Sequence, residues 1–105
     1  MEVIERAEKM QRASEAFRQA GRRIALVPTM GFFHEGHLEL MRVARKHSDI
    51  LIISIFVNPT QFGPGEDFDQ YPKDPEGDLR KAQDVSVDIV FMPPPEDMYP
   101  KGYQT

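Results

Sequence analysis

Two apolar segments with a helical pattern between them constrain the fold of this chain more than any other feature. Residues 24–27 (IALV) form a short apolar run that ends at Pro28, and residues 49–57 (DILIISIFV) form a longer, β-branched run. Runs that are apolar on both faces are typical of buried strands in a parallel sheet. Between them, the apolar positions from Leu38 to Ala44 have the spacing of a helix. This pattern predicts a right-handed βαβ unit.

The segments on either side extend this unit into an alternating α/β chain. Apolar residues recur every three or four positions over residues 3–20, which predicts an amphipathic helix that ends at Gly21. Asp74 followed by a proline is typical of a helix start, and we expect a helix over residues 75–84 and a third strand at 87–92. The predicted fold class is α/β: an incomplete Rossmann-like, three-layer parallel sheet of three strands, with a preceding helix and with helices on both faces.

Charge and composition exclude several classes of function. The net charge of −4 argues against a surface that binds nucleic acid or an anionic membrane. The absence of cysteine excludes disulfides and thiolate metal sites. The first twenty residues are charged throughout and contain no apolar core segment, so we expect neither a signal peptide nor a membrane span and predict a cytoplasmic protein.

The segment PTMGFFHEGH, residues 28–37, contains the most specific chemical signal. It lies where the first predicted strand turns into a helix, which is where open α/β sheets bind ligands. Free N–H groups at a helix N-terminus favour phosphate, and His34 and His37, three residues apart, can reach one phosphate from the same side. Imidazole donors placed there stabilise charge that builds on an attacked α-phosphorus, so the predicted chemistry is nucleotidyl transfer.

Two other interpretations of the histidine pair compete with this one. An isolated H-x-x-H is more often solvated or caps a helix than it binds a ligand. A zinc metalloprotease helix requires histidines four residues apart, as in H-E-x-x-H, whereas His34 and His37 are three apart and are separated by Gly36. We therefore predict no metal site at these residues.

Several blocks of the sequence resemble one enzyme family, in that family's order. The HEGH of residues 34–37 resembles the HxGH signature of the nucleotidyltransferase superfamily, and PTMG-x-x-HEGH is similar to the opening motif of the pantothenate synthetases. The match continues through SIFVNPTQFG at 54–63, EDF at 66–68, YP at 71–72 and MYP at 98–100. These blocks span nearly the whole chain, and on them the chain is identified as a member of that family.

The resemblance implies roles for individual residues. His37 stands in the position of a proton donor, with His34 as the second catalytic histidine. Gln61 stands where the family contacts pantoate and β-alanine, and its amide offers the donors and the acceptor that orient a hydroxyl and a carboxylate. The implied ATP-binding residues are Met30, Gly31, Phe32, Phe33, His34, Glu35, Gly36 and His37, and the implied substrate-binding residues are Met30, Asn58, Gln61, Phe62 and Tyr71.

The activity implied by the resemblance is the ATP-dependent condensation of pantoate with β-alanine. Pantoate would attack the α-phosphate of ATP with Mg²⁺ present, giving pantoyl adenylate and pyrophosphate, and β-alanine would then displace AMP to give pantothenate. Family members are much longer and typically homodimeric. We therefore expect residues 1–105 to be the amino-terminal part of the nucleotide-binding domain, without the carboxy-terminal domain, inactive alone, and self-associating through an open edge of the third strand.

The sequence is also compatible with two alternative functions. One is another HxGH enzyme, such as a phosphopantetheine or nicotinamide-nucleotide adenylyltransferase, against which the NP-x-QFG block at 58–63 argues. The other is a non-catalytic nucleotide-binding or oligomerising module. Asp78 matches an acidic position of the family, and a solvated or helix-start aspartate is expected there and not a metal ligand. The pair Phe32 and Phe33 departs from the family's commoner small-then-aliphatic pair, and we expect it to affect packing beneath the loop.

Overall fold

The computed structural model of the chain describes residues 1–56 and 73–94. In chain order these residues form β1 (Glu2–Ile4), α1 (Ala7–Gln19), β2 (Ile24–Thr29), α2 (Glu35–Lys46), β3 (Ile50–Ile55), α3 (Pro75–Asp84) and β4 (Ile89–Phe91). The four strands are parallel, in the order β1-β4-β3-β2. The predicted α/β class is confirmed, and β2, α2 and β3 form the predicted βαβ unit.

The sheet is covered on both faces, as the apolar strands predict. On one face Leu51 and Ile53 of β3 pack with Met41 of α2 and Ala82 of α3. On the other face Ile52 packs in a smaller cluster with residues of β1, α1 and β4, namely Ile4, Met10 and Ile89. Successive residues of β3 are therefore buried on opposite faces, which explains why its sequence is apolar without alternation.

The first residues of the predicted amino-terminal helix form a strand instead. Val3 and Ile4 fit the spacing of the helical stripe, but Glu2–Ile4 pairs with β4, with Ile4 opposite Phe91, and α1 begins only at Ala7. Ile4 is 1% exposed, and in this pairing its β-branched side chain packs with Ile52 and Ile89 of the sheet. The prediction of helix over residues 3–6 is wrong because a remote strand decides the conformation.

The expected open edge on the third predicted strand is also wrong. That strand is β4, which lies between β1 and β3. Met92 N–H donates to the Ile4 carbonyl at 2.8 Å, and Glu2 N–H donates to the Asp88 carbonyl at 2.9 Å. The unpaired edges of the sheet, within the residues that the structure describes, belong to β1 and β2. Self-association through an open edge of β4 therefore has no support.

The predicted helix boundaries near Gly21 and Asp74 are confirmed. Gly21 follows α1 with a left-handed φ of +76°, a conformation that glycine adopts without steric cost. Asp74 is the N-cap of α3, where its Oδ1 accepts the Gly77 N–H at 3.2 Å. No helix in residues 1–56 and 73–94 is both long and apolar enough to cross a membrane.

Candidate functional site

The candidate site lies at the carboxyl ends of the strands, where residues 30–34 connect β2 to α2. A cavity of about 310 Å³ opens beside this connection. Its lining includes Met30, Gly31, Phe32, Ile55, Asp78 and Met92. In an open parallel sheet this edge is the usual ligand site, so the structure brings the predicted turn to the expected place.

The turn after β2 has a backbone conformation that depends on glycine. Gly31 has φ +85° and Phe32 has φ +55°, so two successive residues are left-handed. A Cβ atom on Gly31 would lie 3.1 Å from Asp78 Oδ2 and 3.1 Å from Ile55 Cγ2. Gly31 therefore serves both the turn and the close approach of Asp78. Thr29 Oγ1 accepts the Gly31 N–H at 3.2 Å, and this hydrogen bond stabilises the turn.

Asp78 is buried beneath the turn and is not solvated. Its side chain is 2% exposed. Its Oδ2 accepts the Phe32 N–H at 2.8 Å, and its Oδ1 accepts the Phe33 N–H at 2.8 Å. Of the two expected positions, the helix start is confirmed, because Asp78 lies in the first turn of α3, and the solvated one is wrong. The carboxylate is buried because it satisfies two N–H groups that no strand or helix pairs.

The two phenylalanines of the turn have opposite environments. Phe33 is 3% exposed and packs in the core cluster with residues such as Met41, whereas Phe32 is 52% exposed. Lys81 Nζ donates to the Phe33 carbonyl at 3.1 Å, so α3 contacts this residue on both of its peptide groups. The expectation that the Phe32 and Phe33 pair affects packing beneath the loop is confirmed for Phe33.

The two histidines cap α2 reciprocally. His34 is the N-cap residue, and its Nδ1 accepts the Gly36 N–H at 2.9 Å. In return, His34 N–H donates to His37 Nδ1 at 3.1 Å. The two ring centroids lie 4.1 Å apart. Because both Nδ1 atoms accept, the proton of each neutral imidazole is on Nε2, and both rings present an Nε2–H donor.

Gly36 makes this arrangement possible by its lack of a side chain. A Cβ atom at this position would lie 2.7 Å from His34 Cε1 and 3.0 Å from His34 Nδ1. Any side chain would therefore push the His34 ring away from the helix N-terminus. The glycine of the HxGH pattern is explained here by contact with the first histidine and not by an unusual φ.

The electrostatic surroundings of His37 favour its neutral form. Burial lowers the pKa of His37 below the usual histidine value of 6.5, the neighbouring His34 lowers it further, and the Asp78 carboxylate opposes both. A protonated His37 would also lose its ability to accept the His34 N–H. The neutral Nε2–H donor is therefore the form of His37 near neutral pH.

This shift predicts a pH dependence of folding stability. Because the unfolded chain binds a proton at His37 more readily than the folded one, the stabilisation is complete above about pH 6.5 and is lost as the pH falls through the lower folded pKa. We expect the free energy of unfolding, measured with urea between about pH 7 and 5, to fall less steeply in His37→Gln than in the wild type. An equal change of unfolding free energy with pH in the wild type and in His37→Gln would contradict this account.

The structure brings together the part of the predicted site that lies in residues 30–37. Within it, the Glu35 carboxylate forms an exposed ion pair with Arg42 at 2.7 Å. The predicted substrate residues Asn58, Gln61, Phe62 and Tyr71 lie outside the described residues. In the described part of the chain, no three or more His, Asp or Glu side chains are grouped as they would be around a metal ion. Sequence reasoning missed Asp78 and Lys81 as partners of the turn.

Comparison with known proteins identifies relatives over the whole chain. Residues 2–105 match the sequence model of the family described as pantoate-beta-alanine ligase. The pantothenate synthetase of Syntrophus aciditrophicus is 56% identical over 105 residues, and that of Geotalea daltonii is 55% identical over the same length. In both cases the alignment covers 100% of this chain and 37% of the relative. The chain therefore spans a little more than a third of the length of these curated relatives.

Solved structures agree with these relatives in sequence and in fold. A pantothenate synthetase from Thermus thermophilus superimposes with a TM-score of 0.82 at 40% identity, covering 100% of this chain and 36% of that one. A pantoate-beta-alanine ligase from Francisella tularensis, solved in complex with beta-gamma ATP and beta-alanine, has a TM-score of 0.85 at 34% identity and covers 100% and 40% of the two chains. The sequence match, the fold and the histidine turn agree: the chain belongs to the pantoate-beta-alanine ligase family.

Proposed function

We propose that this chain provides the nucleotide loop of an enzyme that condenses pantoate with β-alanine at the expense of ATP, through a pantoyl-adenylate intermediate. The observation that supports this most strongly is the pair of Nε2–H donors that His34 and His37 present at the N-terminus of α2. Family membership argues against another HxGH adenylyltransferase. In this proposal residues 1–105 form the first part of the nucleotide-binding domain.

The histidine pair suits a reaction that transfers an adenylyl group. When a carboxylate oxygen attacks the α-phosphorus, negative charge grows on the non-bridging oxygens, and fixed hydrogen-bond donors stabilise that charge without having to reorganise. Two neutral imidazoles held by backbone N–H groups are such donors. We infer that His34 and His37 contact the α-phosphate through their Nε2–H groups, and that His37, which the resemblance places as proton donor, acts as a neutral hydrogen-bond donor.

The N-terminus of α2 adds to this phosphate site. The first N–H groups of a helix point outward and carry partial positive charge, which favours an anion. The left-handed turn at Gly31 lets the backbone approach the nucleotide closely. We infer that Met30 to His37 bind ATP and that ATP is used as its Mg²⁺ complex, since the cation neutralises phosphate charge as pyrophosphate leaves.

In this proposal the acyl substrate, pantoate, binds in the cavity beside the turn. The cavity of about 310 Å³ between Met30, Ile55 and Met92 adjoins the place where the α-phosphate would lie. Gln61, which follows β3 in the sequence, is proposed to orient pantoate and β-alanine, and Asn58, Phe62 and Tyr71 are the other proposed substrate-binding residues.

Binding of ATP to the isolated chain tests the nucleotide site directly. In an ¹⁵N-labelled sample, MgATP should shift the backbone amide signals of Gly36 and His37 most strongly, and adenosine should shift them much less because it lacks phosphates. The His34→Ala, His37→Ala double variant should lose most of the MgATP response. Shifts concentrated on another surface, or unchanged in the double variant, would contradict the proposed site.

A further inference from the structure

Two side chains of helix α3, Asp78 and Lys81, bond to the turn between β2 and α2 and have no role in the proposed function so far. Asp78 accepts the N–H groups of Phe32 and Phe33, each at 2.8 Å, and Lys81 donates to the Phe33 carbonyl at 3.1 Å. Asp78 is the one charged side chain that is buried among the described residues. A buried carboxylate is costly unless it is fully hydrogen-bonded, and both of its oxygens are used on this turn.

The bonds from Asp78 compensate for a backbone that would otherwise be strained. Phe32 is not a glycine, yet it has φ +55°, a conformation that such residues keep only when the surroundings enforce it. Successive N–H groups in a turn of this kind converge into a concavity that binds an anion. The carboxylate of Asp78 is the anion in this concavity, so the protein supplies it from α3 at a fixed position.

This turn also sets the positions of His34 and His37. Phe33 immediately precedes His34, the N-cap of α2, and the Phe33 ring lies 5.6 Å from the His37 ring between centroids. A shift of the peptide groups at 32 and 33 would therefore move both the His34 backbone and the packing of His37. The Nε2–H donors would then no longer lie where the transition-state charge develops.

We propose that Asp78 is a positioning residue for adenylyl transfer: through the N–H groups of Phe32 and Phe33 it fixes the turn that places His34 and His37. Lys81 assists it through the Phe33 carbonyl. Neither side chain needs to touch the nucleotide. This inference rests on the proposed function, because positioning matters only if the two histidines act on a phosphate.

Asp78→Asn is the most informative change because it preserves the shape of the side chain. The amide has one acceptor oxygen and one NH₂ group, so one backbone N–H now faces a donor and the turn must move. Small displacements of catalytic donors are felt more in the transition state than in the bound ground state. We expect kcat to fall by about 10- to 100-fold and the KM for ATP to change much less.

The kinetic test uses a full-length protein, meaning a protein of the relatives' length that contains this chain. Asp78→Asn is compared with Asp84→Asn, which changes an exposed aspartate of the same helix and should leave kcat unchanged. Assays are made well below the melting temperature of each variant, so that lost stability is not mistaken for lost positioning. A kcat for Asp78→Asn equal to that of Asp84→Asn would overturn the proposal.

Imidazole NMR supplies a readout that a purely structural role would not move. Burial and His34 lower the pKa of His37 and the Asp78 carboxylate opposes them, so Asp78→Asn should lower the His37 pKa further. An unchanged His37 titration with unchanged Nε2–H signals would overturn the proposal. If Asp78→Asn does not fold, Lys81→Met should also lower kcat, by a smaller factor and with little change in the KM for ATP, and Arg80→Met should leave kcat unchanged.

The outcomes separate this inference from the proposed function. If His37→Ala loses activity while Asp78→Asn keeps it, the function stands and the positioning role fails. If both variants lose kcat with little change in KM and Asp84→Asn does not, both proposals are supported. Full activity in His37→Ala would overturn both, since a donor that Asp78 is proposed to position would then not contribute to the reaction.

Discussion

Replacing His37 by alanine in the full-length protein should lower kcat by about 10²-fold or more, which is the cost of losing one fixed transition-state donor. The change removes the Nε2–H donor and also the Nδ1 atom that accepts the His34 N–H at 3.1 Å. His34 thereby loses part of its own support, so the effect should exceed that of deleting an isolated side chain. Steady-state formation of AMP at saturating substrates measures it.

The matched control for this prediction is His47→Ala. His47 is the C-cap residue at the opposite end of α2, so its removal tests whether any histidine on this helix matters. We expect near-wild-type kcat for His47→Ala. Comparable turnover in His37→Ala and His47→Ala would remove His37 from the catalytic residues.

Phe33→Ala should produce the largest loss of stability among single changes in the turn. Phe33 is 3% exposed and packs in the core between the sheet, α2 and α3. Truncation of a buried phenylalanine removes apolar contact and leaves a cavity, which costs about 3–5 kcal/mol. Since small domains are stable by only about 5–15 kcal/mol, the variant should be close to unfolding at ambient temperature. Urea denaturation followed by circular dichroism measures this loss.

The neighbouring residue provides the control for Phe33. Phe32 has the same side chain in the same turn but is 52% exposed. Its replacement by alanine should change the free energy of unfolding by about 0.5 kcal/mol or less, as for most surface positions. Equal losses of unfolding free energy in Phe32→Ala and Phe33→Ala would contradict the burial of Phe33 and the exposure of Phe32.

The parts of the fold that the sequence predicts correctly are those that local patterns determine. The strands β2 and β3 and the helix between them follow from apolar runs and spacing within about thirty residues of chain. The strand Glu2–Ile4 could not be predicted in this way, because its partner β4 lies more than eighty residues further along. Val3 and Ile4 fit the apolar spacing of the helix that follows them, and only their pairing with β4 makes them part of a strand.

The same distinction applies to the site. The histidine pair and Gly36 interact within one helical turn, so their spacing predicts that the two rings lie together. The bonds from Asp78 to the turn join residues about 45 positions apart, and an aspartate in the first turn of a helix is usually solvated. The available signal was that Asp78 matches an acidic position of the family. Gln61 and its neighbours stay a prediction, since they lie outside the described residues.

The most direct test of the proposed reaction is whether the full-length protein forms an acyl adenylate. With ATP, Mg²⁺ and pantoate but no β-alanine, we expect release of pyrophosphate that depends on pantoate. Adding β-alanine should then release AMP and pantothenate in equal amounts. A protein that binds ATP but releases neither product would be the non-catalytic nucleotide-binding module. That result, or pyrophosphate release that does not depend on pantoate, would contradict the proposed reaction.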